Sequence, residues 1–291
     1  MAGIDDARVR DAYSRQKALV AAYDRPAYLA VRLLLPPQLV PHVIAVTAFM
    51  HYTDVMLDGE TPSNTASAAA WEEDVRCALS SGESREPLLR ALLTSVEAVP
   101  WLRSRVEAFM AGARVDRDFK EFAGEAEYQQ YIYDYSLPAF MLIACLLLPP
   151  NADPGASGMA CRAYIDGHQR LDFVNDLSED LSAGRLTIPL KTLEQHDVSR
   201  SDLEQRRDSL GTRALITSLL TRARQDLLVS RSLVEHVPAD NRAFLRALIT
   251  VKVLTADAAL AKGAAVMCAP ASPSHSAALR MLLREYRRRG R

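Results

Sequence analysis

Apolar residues return every three to four positions along nearly the whole chain, and no stretch alternates apolar and polar residues over the length of a strand. The period predicts helices over 5–23, 26–34, 38–58, 68–80, 86–97, 101–122, 125–148, 157–182, 200–208, 211–235, 239–265 and 274–288. Prolines stand at the joints between them, in "LLPPQLVP", "VPWL", "LLLPPNADPG", "HVPAD" and "CAPASPS". The linkers are short and no internal repeat is visible. An all-α fold follows, one large helical bundle spanning residues 1–291 around an apolar centre.

Two stretches break the apolar pattern in the same way. In "FMHYTDVMLDGE", residues 49–60, Asp54 and Asp58 sit one turn apart on one helix face, just before Gly59 stops the helix. Like charges at i and i+4 repel by a few tenths of a kcal/mol. The negative end of the helix dipole adds roughly 0.3–1 kcal/mol of penalty per carboxylate. In "GHQRLDFVNDLSEDLSAGRLTIP", Asp172, Asp176 and Asp180 stack over two turns on one face, again ahead of a glycine, Gly184. Solvated helix ends are the plain explanation. A divalent cation would instead reverse every one of these penalties, because hard oxygen ligands suit Mg²⁺, which shares its shell with phosphate oxygens. Two acidic ladders facing each other across a bundle imply a diphosphate ligand.

Charge and cysteine usage narrow the class. Lys plus Arg (35) nearly cancels Asp plus Glu (36), for a net charge of −1. No nucleic-acid partner is expected from that balance. The C-terminal "REYRRRGR" is a local basic exception: a solvated helix end in the ordinary reading, with peripheral contact to a membrane surface left open. Cys77, Cys145, Cys161 and Cys268 show neither zinc nor disulfide spacing, which with the absence of an apolar leader points to a reducing, cytoplasmic setting. The greasiest run, "LPAFMLIACLLLPP", falls short of the roughly 20 residues a membrane span requires. Oligomeric state is not legible.

Taken in order, several segments resemble the squalene/phytoene synthase family of head-to-head isoprenoid synthases. "LLPPQLVPHVIAVTAFMHYTDVMLD" is similar to its Leu-Pro entry and first Asp-rich helix. "GARVD", residues 112–116, is similar to its Gly-Met-x-x-Asp signature, and "YQQYIYDYSLPAF" falls where the family has a Tyr-Cys helix. "QRLDFVNDLSEDLSAGRLTIPL" resembles the second Asp-rich motif with its trailing Gly-Arg and Pro. The resemblance covers about residues 25–195. It implies a class I isoprenoid synthase bundle with a central apolar cavity, a prenyl diphosphate substrate and Mg²⁺ as cofactor. Asp54 and Asp58 would be ligands of the first motif, Asp176 and Asp180 of the second, with Asp172 where the family usually carries Asn. Arg185 would lie near the diphosphate. His51, Gln169 and Asn175 would contact substrate beside the ladders, and Tyr131, Ser136 and Phe140 would line its path.

The departures shape the expected reaction. His51 and Asn175 replace arginines that help bind diphosphate in the family, which weakens bidentate clamping. Val55 replaces a middle Asp, and Val40-Pro41 a basic pair. Pro138 is expected to kink the Tyr131 helix. Leu137, Phe140 and Met141 would leave room for one prenyl chain if they face the cavity, or are ordinary core if they do not. Tyr131, Tyr133 and Tyr135 offer aromatic faces to a carbocation. The expected activity is therefore Mg²⁺-dependent ionisation of farnesyl or geranylgeranyl diphosphate with carbon–carbon bond formation, leaning to cyclisation of a single substrate. Head-to-head coupling to a squalene- or phytoene-type product is the alternative, only the former requiring NADPH. A degenerate homologue acting as a binding partner is the reading from another class.

Overall fold

The computed structural model describes residues 6–23, 25–57 and 62–289, and their regular structure is helical apart from one isolated parallel bridge between Glu121 and Leu186. In chain order the helices are α1 (Ala7–Tyr23), α2 (Arg25–Leu34), α3 (Val40–Leu57), α4 (Pro62–Ser81), α5 (Pro87–Ala98), α6 (Leu102–Arg117), α7 (Glu125–Tyr131), α8 (Leu137–Leu147), α9 (Pro154–Asn175), α10 (Leu177–Ser182), α11 (Leu190–Gln195), α12 (Arg200–Glu204), α13 (Leu210–Val229), α14 (Ala239–Lys262) and α15 (His275–Arg288). Tighter 3₁₀ turns follow α13 and α14.

The longest apolar-faced helices enclose the core. Phe49 of α3, Phe109 of α6, Tyr128 of α7, Leu142 of α8 and Tyr164 of α9 are all buried in one continuous cluster. Such residues carry most of the folding drive, at roughly 1.5–3 kcal/mol per fully buried large side chain. α9 and α13 lie against one another closely because of Gly167. A Cβ there would meet the Ala223 carbonyl oxygen at 2.7 Å and the Leu227 nitrogen at 2.9 Å. Local chemistry sets the helix starts: Asp153 caps α9 through the Gly155 N–H, and Ser209 forms a capping box with Thr212 on α13.

Four expected boundaries shift for physical reasons. The helix expected over 101–122 stops at Arg117, because the chain beyond it leaves to pair with another segment. Leu186 donates to the Lys120 carbonyl (2.8 Å) and Leu190 to that of Phe122 (2.9 Å). The helix expected over 157–182 breaks at Asp176 (φ −96°, ψ 6°), yet i→i+4 bonds run up to and away from it. Asp176 N–H donates to Asp172 (2.8 Å) and Asp180 N–H to Asp176 (2.9 Å), so the ladder survives the break. Helix α11 falls in a stretch that apolar periodicity leaves as a linker.

The fourth shift concerns 125–148. Residues Ile132–Ser136 form a π-helical turn between α7 and α8, and Leu137 N–H reaches back five residues to the Ile132 carbonyl. Pro138 explains it. Proline has no N–H, so the Asp134 carbonyl four residues earlier loses its helical donor. The turn widens rather than breaking, and the Asp134 carbonyl presses on α6 at Gly112, where a Cβ would stand only 2.1 Å from its oxygen. Glycine is the one residue that allows this approach. From Glu125 to Leu147 the combined segment is also long and apolar enough to cross a membrane, although half of its most apolar window is buried inside the fold, where α8 packs against α6 and α9.

Candidate active site

Asp54 lies half-buried in the last turn of α3, and its Oδ1 accepts a hydrogen bond from the Tyr135 hydroxyl at 3.2 Å. Tyr135 belongs to the π turn. The extra residue per turn sets its ring beside that of Tyr131, with centroids 5.5 Å apart. The Tyr131 hydroxyl donates to Asp116 Oδ1 of α6 at 2.5 Å, and the same oxygen accepts from Arg185 Nη2 at 2.7 Å. Burial, reinforced by the Asp116 carboxylate, holds the Tyr131 hydroxyl well above its usual range, so it remains a donor.

Arg185 is aimed by the turn that ends α10. Gly184 takes a left-handed conformation (φ 80°). Its N–H donates to Leu181 (3.0 Å) and that of Arg185 to Asp180 (2.8 Å), the paired bonds of a Schellman motif. Although burial opposes its charge, the Asp116 carboxylate makes the guanidinium hold its proton more tightly than usual. Among the described residues its buried Nε meets no acceptor. A buried donor without a partner costs roughly 1–3 kcal/mol.

Asp176 and Asp180 carry the electrostatic signature of the site. Loss of solvation pushes both carboxyls up to about 6 even though Asp176 is exposed at its surface, Asp176 further by the charges of Asp172 and Asp180, and Asp180 further by Asp116. The opposition between Asp180 and Asp116 places the second ladder at the same Asp116–Arg185 centre that Tyr131 and Tyr135 connect to Asp54. Four elements thus converge: α3, the π turn, α6 and the α9–α10 corner. Asp58 lies outside the described residues. Among those described, no three acidic, imidazole or thiol groups form a complete metal cage by themselves.

Asp172 behaves differently from its neighbours. His168 Nδ1 lies 2.7 Å from its Oδ2 and Lys252 Nζ of α14 lies 3.4 Å from its Oδ1. Burial alone would raise this carboxyl, but His168 and Lys252 hold it down at about 2. Each of its oxygens therefore faces a basic side chain, so a metal ion at Asp172 would compete with His168 and Lys252.

The other residues expected at the substrate have protein surroundings of their own. Phe140 is buried and packs on Tyr164 at 4.6 Å, so it is core rather than a wall between the acidic helices. Asn175 holds the chain after α14: its Nδ2 donates to the Ala271 carbonyl (3.0 Å) and its Oδ1 accepts the Ala271 N–H (3.1 Å). Ser136 and Gln169 bond to one another, hydroxyl to amide oxygen at 3.0 Å, joining the π turn to α9. His51 is half-buried, and that burial lowers its tendency to protonate, so it does not replace an arginine's permanent charge. Leu137 and Met141 line a separate, mostly apolar pocket of about 440 Å³ with Trp101, Cys145 and Cys161.

Sequence reasoning left Asp116, His168 and Lys252 off the site. Asp116 was within reach, one helical turn after Gly112 in "GARVD". Lys252 was signalled only as a lone cation in the apolar run "ALITVKVLTA", and nothing there names its partner.

The squalene/phytoene synthase family model matches residues 20–288. The chain belongs to the squalene/phytoene synthase family. This makes it an isoprenoid synthase of the kind that uses prenyl diphosphates. It is 24% identical over 229 residues to the 15-cis-phytoene synthase of Synechocystis sp., covering 75% of this chain and 67% of that one. In fold it is similar to a dehydrosqualene synthase crystallised with a ligand (TM-score 0.83, 18% identity, 95% and 96% of the two chains). It is likewise similar to squalene synthase HpnC of Alicyclobacillus acidocaldarius (TM-score 0.78, 22% identity, 92% and 99%). The family match agrees with the expected all-α isoprenoid synthase fold, and among the two expected reactions it favours coupling over cyclisation.

Proposed function

We propose that this squalene/phytoene synthase family member couples two prenyl diphosphates head to head, giving a squalene- or phytoene-type product. The observation that carries the reading is the convergence of Asp54, Asp116, Asp176, Asp180 and Arg185 around Tyr131 and Tyr135. Two of these carboxyls are raised to about 6 and one guanidinium nitrogen is unmatched. Such a site favours a ligand that brings both anionic oxygens and counter-cations. The donor set fits Mg²⁺, which takes one or two carboxylates and completes its shell with water and phosphate oxygens. Asp54, Asp176 and Asp180 would hold it, and bound there it would supply Lewis-acid charge to a leaving diphosphate.

The chain's own groups have distinct parts in this scheme. Arg185 would turn its unmatched guanidinium N–H groups to a diphosphate oxygen while Asp116 holds the guanidinium in place. Tyr131 and Tyr135 present paired rings beside the site, and their hydroxyls, occupied by Asp116 and Asp54, are kept from quenching a carbocation. The apolar core behind them excludes water. The bulk that favoured a single substrate loses its force, since Phe140 packs on Tyr164 and Leu137 and Met141 line another pocket.

The test is direct. Purified protein is incubated with Mg²⁺ and farnesyl or geranylgeranyl diphosphate, with and without NADPH, and the hydrocarbon extract is weighed by mass spectrometry. A doubled carbon count is expected. A product with the carbon count of one substrate refutes coupling in favour of cyclisation. No product, together with no calorimetric binding of Mg²⁺ and pyrophosphate, refutes catalysis altogether.

A further inference from the structure

The second acidic ladder has a fixed cation near each end. Beyond its last rung stands Arg185, with its Nη2 2.7 Å from Asp116 Oδ1. At its first rung stands Lys252 of α14, with its Nζ 3.4 Å from Asp172 Oδ1. Among the described residues neither Asp176 nor Asp180, the rungs between these two cations, forms an ion pair. Arg185 has a part in the coupling scheme, and Lys252 has none there.

Nothing in the packing of α14 calls for a lysine at this position. Its neighbours Ile249, Val253 and Ala256 are buried in the core. Helices α9 and α14 also each pack along α13, so they have a scaffold besides the Lys252–Asp172 pair. The pair keeps 25% of the lysine side chain and 32% of the aspartate side chain exposed, which leaves it within reach of a solute. An ammonium carries three N–H donors. Among the described residues Asp172 is the one acceptor this ammonium meets, and the other Asp172 oxygen faces His168 Nδ1 at 2.7 Å. The charge of the lysine extends to Asp176, where it opposes the upward pull on that carboxyl.

A reachable cation with open donors, beside carboxyls that themselves call for counter-cations, suits a ligand with several anionic oxygens. A metal ion at the first rung would have to displace Lys252, whereas a phosphate oxygen would satisfy it. We propose that Lys252 is a diphosphate-binding residue, its ammonium held at the first rung by Asp172 and its open N–H groups donating to an oxygen of the substrate's diphosphate. The assignment rests on the coupling reading, which supplies the diphosphate, and names the residue that holds it from α14. Positive charge at the first rung is thereby built into the chain, and Asp176 and Asp180 are left to the exchangeable cation. The two fixed cations come from different elements, Lys252 from α14 and Arg185 from the turn after α10, so the diphosphate is gripped from both ends of the ladder.

The full-length protein is titrated calorimetrically with inorganic pyrophosphate in the presence of Mg²⁺, at a temperature where circular dichroism shows every variant folded. Wild type, Asp172→Asn and the double variant Lys252→Met/Asp172→Asn are compared. In both substituted proteins the ion pair is already gone. A lysine that merely ties α9 to α14 then has nothing left to contribute, and the two should bind pyrophosphate alike. A diphosphate-binding lysine predicts instead that Asp172→Asn still binds and that the added Lys252→Met weakens binding by at least about tenfold, the factor a charge-assisted hydrogen bond supplies. Equal affinity of the two variants overturns the proposal. So does loss of binding in Asp172→Asn itself, for then Asp172 serves a metal ion and Lys252 only balances its charge. Wild-type protein that binds no pyrophosphate overturns this assignment together with the coupling reading beneath it, which sets that failure apart from the other two.

Discussion

Neutralising Asp180 should stabilise the empty protein while removing its activity. Its carboxyl is raised from 3.8 to about 6, by burial first and then by Asp116 and Glu179, against the opposing pull of Arg185 and Thr187. At about 1.36 kcal/mol per pH unit, a shift of that size corresponds to roughly 3 kcal/mol before screening. Asp180 is only half-buried, so solvent reduces it to about 1 kcal/mol. A carboxyl raised on folding favours the folded state fully below its unfolded value near 3.8, and that contribution is lost as pH rises through 6. Asp180→Asn keeps an oxygen for the Thr187 hydroxyl and removes the charge. Its melting temperature should match the wild type at about pH 3.5, below the unfolded value, and exceed it by roughly 2–4 °C above pH 7. Adding Mg²⁺ with pyrophosphate should reverse the order, because only the wild type gains binding stabilisation. The assay is thermal unfolding of both proteins across pH, with and without those ligands. A variant less stable than the wild type at pH 8, or a gap indifferent to pH, would refute the electrostatic account of the ladder.

Three other outcomes are expected. Gly112→Ala sets a methyl group against the Asp134 carbonyl and should cost about 1–3 kcal/mol in chemical denaturation, with turnover falling further than stability predicts because the tyrosines shift. Pro138→Ala restores an N–H to the Asp134 carbonyl. It should reduce turnover without lowering the melting temperature, and a crystal structure should show the π turn tightened and Tyr135 moved from Asp54. Lys252→Met leaves Asp172 with His168 alone and should cost roughly 1–3 kcal/mol in unfolding free energy. A further Asp172→Leu change should recover most of it, since removing both members of a partly buried pair is less damaging than removing one.

The helical period located nearly every long element because each buries one continuous face, and the acidic ladders were visible because like charges one turn apart need a reason. What escaped was set by single backbone groups. The break at Asp176 preserves the i→i+4 spacing, so no residue pattern reports it. The π turn depends on one absent N–H, and Pro138 signalled trouble without signalling which kind. Asp172 looked equivalent to Asp176 along the chain. Only the fold brings Lys252, eighty positions later, against it. Asn175 likewise seemed part of the ladder helix's working face until its amide met Ala271.

A residue lacking a hydrogen-bond donor and a residue lacking a side chain, on different helices, jointly determine where the two tyrosines stand. Neither can be changed alone without disturbing the other's reason for being there. Anyone reshaping this enzyme's reaction chamber should treat Gly112 and Pro138 as a single mechanical hinge point and vary them together, ahead of any substitution in the tyrosines themselves.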